Sequence, residues 1–106
     1  MIANLEEENG TRKIVFLAER IDAGTVPEFE KDIERIIEGI SGPVVLDLST
    51  VTFLDSSGLG SIIRLHKRLE DLGGISIQGA RKPVRKVFDV TRTSRKIRVL
   101  EADHTA

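Results

Sequence analysis

The chain has 106 residues, with 16 basic and 17 acidic side chains, two His and no Cys. That size indicates one domain spanning 1–106, able to bury roughly 65% of its unfolded surface without help from metal or disulfides. Without Cys there is no thiol chemistry or Cys-ligated zinc, His66 and His104 are too few for a His-rich metal site, and no apolar run reaches the ~20 residues of a membrane span.

Residues 2–8 and the run Ile14 to Leu17 predict a hairpin, with Gly10 to Lys13 as its turn. Glu6, Glu7 and Glu8 would discourage pairing along that edge. They also stand where a signal peptide needs basic and then apolar residues, so the expected compartment is the cytoplasm. Thr25-Val26-Pro27-Glu28 fits a capping box, with Thr25 as N-cap of a first helix. Val26, Phe29, Ile33, Ile36, Ile37 and Ile40 then recur at helical spacing, and Ser41-Gly42-Pro43 stops the helix.

Val44 to Leu48 is a nearly continuous apolar run, which predicts a central strand covered on both faces. Thr50 to Leu54 continues toward Asp55. Asp55-Ser56-Ser57-Gly58 opens a second helix, with an apolar stripe from Leu59 to Leu72 and a stop at Gly73-Gly74. Ile75 to Ile77 reads as a short strand. Pro83 begins a third helix that carries Val84, Val87, Phe88 and Val90 inward. Ile97 to Leu100 is a last strand, and Glu101 to Ala106 a loose tail. Helices alternate with strands from residue 25 onward, so the class is α/β with parallel neighbours.

The charge is unevenly spread. Residues 1–55 carry 12 acidic and 5 basic side chains, and residues 56–106 carry 5 and 11. Arg81, Lys82, Arg85 and Lys86 crowd the start of the third helix, against the dipole preference for acids there. A solvated basic face explains this, and so does an acidic partner or a membrane surface. Four Phe are the only aromatics, which supplies a base-stacking platform poorly, so no direct nucleic-acid binding is expected.

The segment Phe53 to Gly60 brings two hydroxyls and a carboxylate to a strand-to-helix junction. Capping alone accounts for Asp or Ser there, and Gly for a tight turn. Three further readings use the same residues. A serine nucleophile lacks the Gly-x-Ser-x-Gly elbow, and His66 lies roughly 13–15 Å down the helix from Ser57. A phosphate cradle has only Gly58-x-Gly60, without the last Gly or a Gly-Lys-Ser/Thr. Finally, the serine can itself be the substrate. A phosphoryl group adds nearly two negative charges where a helix end tolerates them, so it would switch binding rather than folding.

On these residues the chain resembles the STAS domain family, in particular the small stand-alone bacterial anti-sigma factor antagonists. The resemblance runs from about Ile14 to Leu100. It is carried by Ile21-Asp22-Ala23, by Val44 to Leu48, by Leu54-Asp55-Ser56-Ser57-Gly58-Leu59-Gly60, by Leu72-Gly73-Gly74, and by Val84, Val87, Phe88, Asp89, Val90 and Thr91. It implies a mixed β-sheet of about five strands with helices packed mainly on one side. It also implies no catalysis of the chain's own and no cofactor. The unphosphorylated form would bind an anti-sigma factor that is also a serine kinase and so free the sigma factor. Phosphorylation would weaken that complex, and a serine phosphatase would reset it.

The target serine of the family maps to Ser56, with Ser57 as second choice. The expected partner surface comprises Asp22, Thr25, Asp55, Ser56, Ser57, Gly58 and Leu59, with Asp22 as an exposed loop charge. A STAS scaffold or transport accessory subunit that is never phosphorylated is the alternative, and a small nucleotide-binding or hydrolysing enzyme a third reading. The chain departs from relatives in two places. Ala18-Glu19-Arg20-Ile21-Asp22 lacks the usual Gly of the first loop, and Thr91-Arg92-Thr93 stands where relatives read Thr-Gly-Leu. The second change leaves a basic run of Arg92, Arg95, Lys96 and Arg98.

Overall fold

The computed structural model describes residues 1–100, so the expected loose tail lies outside the described residues. Strands β1 (Ala3–Glu8) and β2 (Thr11–Phe16) form an antiparallel hairpin. The turn is only Asn9-Gly10, with φ of 52° and 80°, rather than Gly10 to Lys13. Two positive φ values give a two-residue turn whose twist matches that of the strands, so Thr11 to Lys13 are free to pair. Asp32 holds the start of the hairpin: its Oδ2 accepts from the N–H of Ile2 at 2.7 Å and of Ala3 at 3.1 Å.

A five-stranded sheet runs β1-β2-β4-β6-β7, where β4 is Val44–Asp47, β6 is Ile75–Gln78 and β7 is Arg98–Val99. All pairings after the hairpin are parallel. The intervening helices are α1 (Val26–Ile36), α2 (Ser56–Arg68) and α3 (Lys82–Val90). Ile14, Leu46 and Ile77 line up across the sheet and are fully buried on the helix-covered face. Phe16 meets Phe29 of α1 edge to face, with ring centroids 5.3 Å apart.

The other face carries Lys13, Val45 and Ser76 in register, all only half-buried. The expectation that β4 is covered on both faces is therefore corrected: its side chains alternate between buried and half-buried. With the helices on one face, a parallel strand shows the period-two pattern of a one-sided layer. The rest of the expected strand beyond Asp47 also breaks. Phe53–Leu54 forms β5, which leaves the large sheet and pairs in parallel with β3, Arg20–Ile21.

Two further expectations are corrected. Val90 is 71% exposed, because α3 buries only Val84 and Phe88 fully. Leu72 sits in a 3-10 turn, Glu70–Leu72, and is exposed, because α2 stops at Arg68. After α3, Arg92 takes the left-handed conformation with φ of 61°, the position that a Gly would occupy more cheaply. No helix of the described residues is long and apolar enough to cross a membrane.

Candidate functional site

The short β3–β5 ribbon builds the site. It pairs Arg20 with Phe53 and Ile21 with Leu54, and the chain leaves both strands at the same end. The Asp55 N–H extends the ladder to the Ile21 carbonyl at 3.2 Å. The loop 22–25 after β3 and the start of α2 after β5 are thereby neighbours, although more than 30 residues separate them. Ligand-facing segments at the carboxyl ends of parallel strands follow the same logic.

Asp55 joins the two segments through one carboxylate. Its Oδ1 accepts from the Gly58 N–H at 2.8 Å, capping α2, and its Oδ2 accepts from the Ala23 N–H at 3.2 Å. Capping is thus part of its role, and bridging to the first loop is the rest. Gly58 is buried at the tightest contact. A Cβ there would collide with the Ile21 carbonyl oxygen and lie 2.7 Å from both Ile21 Cγ2 and Leu54 Cδ1. Only glycine lets α2 start this close to the ribbon.

Asp22 organises the first loop. Its Oδ1 accepts from the N–H groups of Gly24 at 3.0 Å and Thr25 at 3.1 Å, and its Oδ2 accepts from Arg20 Nε at 2.9 Å. The Arg20 hydrogen bond holds the Asp22 carboxyl below the usual carboxylate range. Asp22 is therefore half-buried and fully engaged, not the free loop charge that was expected. The Thr25 hydroxyl donates to the Arg20 carbonyl at 3.0 Å and accepts from the Asp22 N–H at 3.0 Å. It makes no cap bond to α1, so the expected capping box does not form. Glu28 instead pairs with the chain's amino terminus at 2.9 Å. The hydroxyl is spent inside the loop, which a reading of residue spacing cannot foresee.

Ser56 and Ser57 are exposed, and neither hydroxyl has a protein partner among the described residues. Leu59 is 9% exposed and belongs to the core. Gly58 and Leu59 thus shape the surface from beneath. The serines open onto a shallow cleft of about 280 Å³ between the starts of α1 and α2, with Ala23, Val26 and Pro27 on the opposite wall.

Arg20, Glu30, Ser61 and Arg64 were not singled out from the sequence as site residues. The Arg20 guanidinium lies 4.0 Å from the centroid of Phe53, whose ring is 40% exposed. Arg64 closes the far end of the cleft. Its Nη2 and Nε donate to Glu30 Oε2 at 2.7 and 3.2 Å, and the Ser61 hydroxyl donates to the same oxygen at 3.1 Å. The Arg64 hydrogen bond holds the Glu30 carboxyl below its usual range. The i, i+4 spacing of Gly60 and Arg64 was the available signal for Arg64; Glu30 lies on another helix and left none.

His66 is at the opposite end of α2, where its Nδ1 accepts from the Ile75 N–H at 3.1 Å and ties the helix to β6. It is a structural histidine, remote from the serines. Arg81 is likewise engaged, donating from Nε to the Ser49 carbonyl at 2.8 Å.

The STAS domain family model matches residues 3–106. Among solved structures, an anti-sigma factor antagonist from Mycobacterium paratuberculosis is 26% identical, with a TM-score of 0.80 over 92% of this chain and 82% of that one. The anti-sigma factor antagonist SpoIIAA in its unphosphorylated form is 22% identical, with a TM-score of 0.70 over 93% of this chain and 88% of that one. The Bacillus cell fate determinant SpoIIAA in its phosphorylated form gives 22% identity and a TM-score of 0.64, over 93% and 91%. The chain belongs to the STAS domain family.

Proposed function

We propose that this STAS domain acts as an anti-sigma factor antagonist switched by phosphate on Ser56. In this reading the unphosphorylated chain binds an anti-sigma factor that is also a serine kinase and so releases the sigma factor. The kinase then transfers phosphate from ATP to the Ser56 hydroxyl, the complex weakens, and a serine phosphatase restores the active form. The observation that carries the reading is the placement of Ser56. Its hydroxyl is exposed and has no partner among the described residues, one residue after the Asp55 cap, beside a loop that Asp55 itself holds in place.

The physical consequence of phosphate there is selective. The first turn of a helix tolerates negative charge, so the fold survives. A surface that already presents Asp55 becomes far more negative, and a partner docked on it is repelled. The similarity to SpoIIAA, known in unphosphorylated and phosphorylated forms, supports the same direction.

The test is incubation of the chain with candidate anti-sigma factor kinases and ATP, read by intact mass and peptide mapping. One phosphate on Ser56, abolished in Ser56→Ala, is the expected result. A phosphate mapped to Thr91 or Ser94 would overturn the assignment.

A further inference from the structure

We propose that Arg64 is a phosphate receptor built into the chain, placed to hold a phosphoryl group on Ser56. This inference rests on the reading of Ser56 as the modified residue and adds where the phosphate goes once formed.

Ser56, Gly60 and Arg64 lie four residues apart along α2. Residues at that spacing stack along one helix face, and helical side chains lean toward the N-terminus. Arg64 therefore leans back over Gly60 toward the first turn, where Ser56 and Ser57 stand. The structure has this arrangement: Arg64 Nη1 lies 3.3 Å from the point where a Cβ of Gly60 would stand. Because residue 60 is glycine, no side chain separates the guanidinium from Ser56, and both residues line the same cleft.

The guanidinium is also held in place. Glu30 Oε2 takes Nε and Nη2, and Ser61 steadies that carboxylate. A guanidinium has five N–H donors in a fixed fork, so the Nη1 edge above Gly60 remains for a second acceptor. A serine phosphate supplies three strong acceptor oxygens and close to two negative charges. The remaining gap from Gly60 to Ser56 is one helical turn, ~6 Å along the axis. The serine side chain, its phosphoryl group and one hydrogen bond span that distance.

The neighbouring charges divide by sign. Glu30 and Asp55 oppose the phosphate dianion, Asp22 is tied up by Arg20, and Arg64 is the cation that lines the cleft. A phosphate held by Arg64 would lie across the cleft mouth, between the starts of α1 and α2, where a partner would otherwise enter.

The experiment installs phosphoserine at position 56 during translation, which needs no kinase. The phosphate is then titrated by phosphorus NMR at low salt in the wild type, Arg64→Ala, Arg64→Lys and Glu30→Gln. The wild-type phosphate should lose its second proton about half a pH unit lower than in Arg64→Ala, the scale of an exposed ion pair. Arg64→Lys should recover part of the shift, and Glu30→Gln should lower the midpoint further by removing a competing carboxylate.

Identical titrations in wild type and Arg64→Ala would overturn the proposal. Because the phosphate is installed directly, a kinase that ignores Ser56 would refute the functional reading without touching this result.

Discussion

Gly58 and Gly60 stand two residues apart on α2, and alanine should act oppositely at the two positions. In Gly58→Ala the new Cβ meets the Ile21 carbonyl oxygen, a backbone atom of β3 that has no rotamer with which to yield. It also lies 2.7 Å from Ile21 Cγ2 and Leu54 Cδ1. Overpacking of this kind costs about 3 kcal/mol at the upper end of its range. The intrinsic helix preference of Ala over Gly offsets about 1 kcal/mol. A net loss of about 2 kcal/mol remains, which lowers the melting temperature by roughly 8–16 °C in a chain of this size.

In Gly60→Ala the Cβ meets only Arg64 Nη1 at 3.3 Å, the tip of a long, 63% exposed side chain that can yield slightly without leaving Glu30. The propensity gain then dominates, and stability should rise by up to about 1 kcal/mol. Calorimetry on the two variants gives both signs. The Gly58 change should also push the ribbon from α2 and stretch the Ala23–Asp55 hydrogen bond, seen as amide shifts at Ala23 and Gly58. A Gly58→Ala protein that melts at or above the wild-type temperature would refute the close-approach argument.

Ser56→Asp should keep its circular dichroism spectrum and gain about 0.3–1 kcal/mol from the helix N-terminus, while binding the kinase more weakly by calorimetry. Asp22→Ala should retain the fold but loosen the 22–25 loop, with partner affinity falling and amide exchange at Gly24 and Thr25 accelerating. Asp32 offers a pH signature. Burial pushes its carboxyl up, but the N–H groups of Ile2 and Ala3, with Arg35, outweigh burial and hold it below the usual range. Its folded value therefore lies below the unfolded one of about 3.9. The stabilisation is full above that value and is lost as pH falls through the folded value. Urea unfolding should give Asp32→Asn a free energy about 2 kcal/mol below wild type at neutral pH, with the two converging in acid. Arg92→Gly should relieve the left-handed backbone and raise stability by up to about 1 kcal/mol, measured by thermal denaturation.

The sequence by itself determined the elements that repeat. Val26, Phe29, Ile33 and Ile36 mark α1 because helical periodicity survives over three turns, and these four are its buried apolar residues. Ile14, Leu46 and Ile77 mark strands through short apolar runs bounded by turn residues, and the family motif from Leu54 to Gly60 located the junction where the exposed serines stand. Only the tertiary structure decided the rest. Strands of two residues, Arg20–Ile21 and Phe53–Leu54, have no periodicity to read, yet their pairing joins the two halves of the site. Whether β4 faces helices on one side or two depends on where other elements pack, not on its own composition.

The same holds for side-chain partners. The Thr25 hydroxyl could cap α1 or brace the loop, and the position of the Arg20 carbonyl settled it. Arg64 finds Glu30 on another helix, 34 residues away, through a contact that exists only once α1 and α2 lie side by side. Local pattern fixes which residues are helical or extended, because backbone sterics and burial act over a few neighbours. The choice among competing polar partners is made by distance in the folded chain.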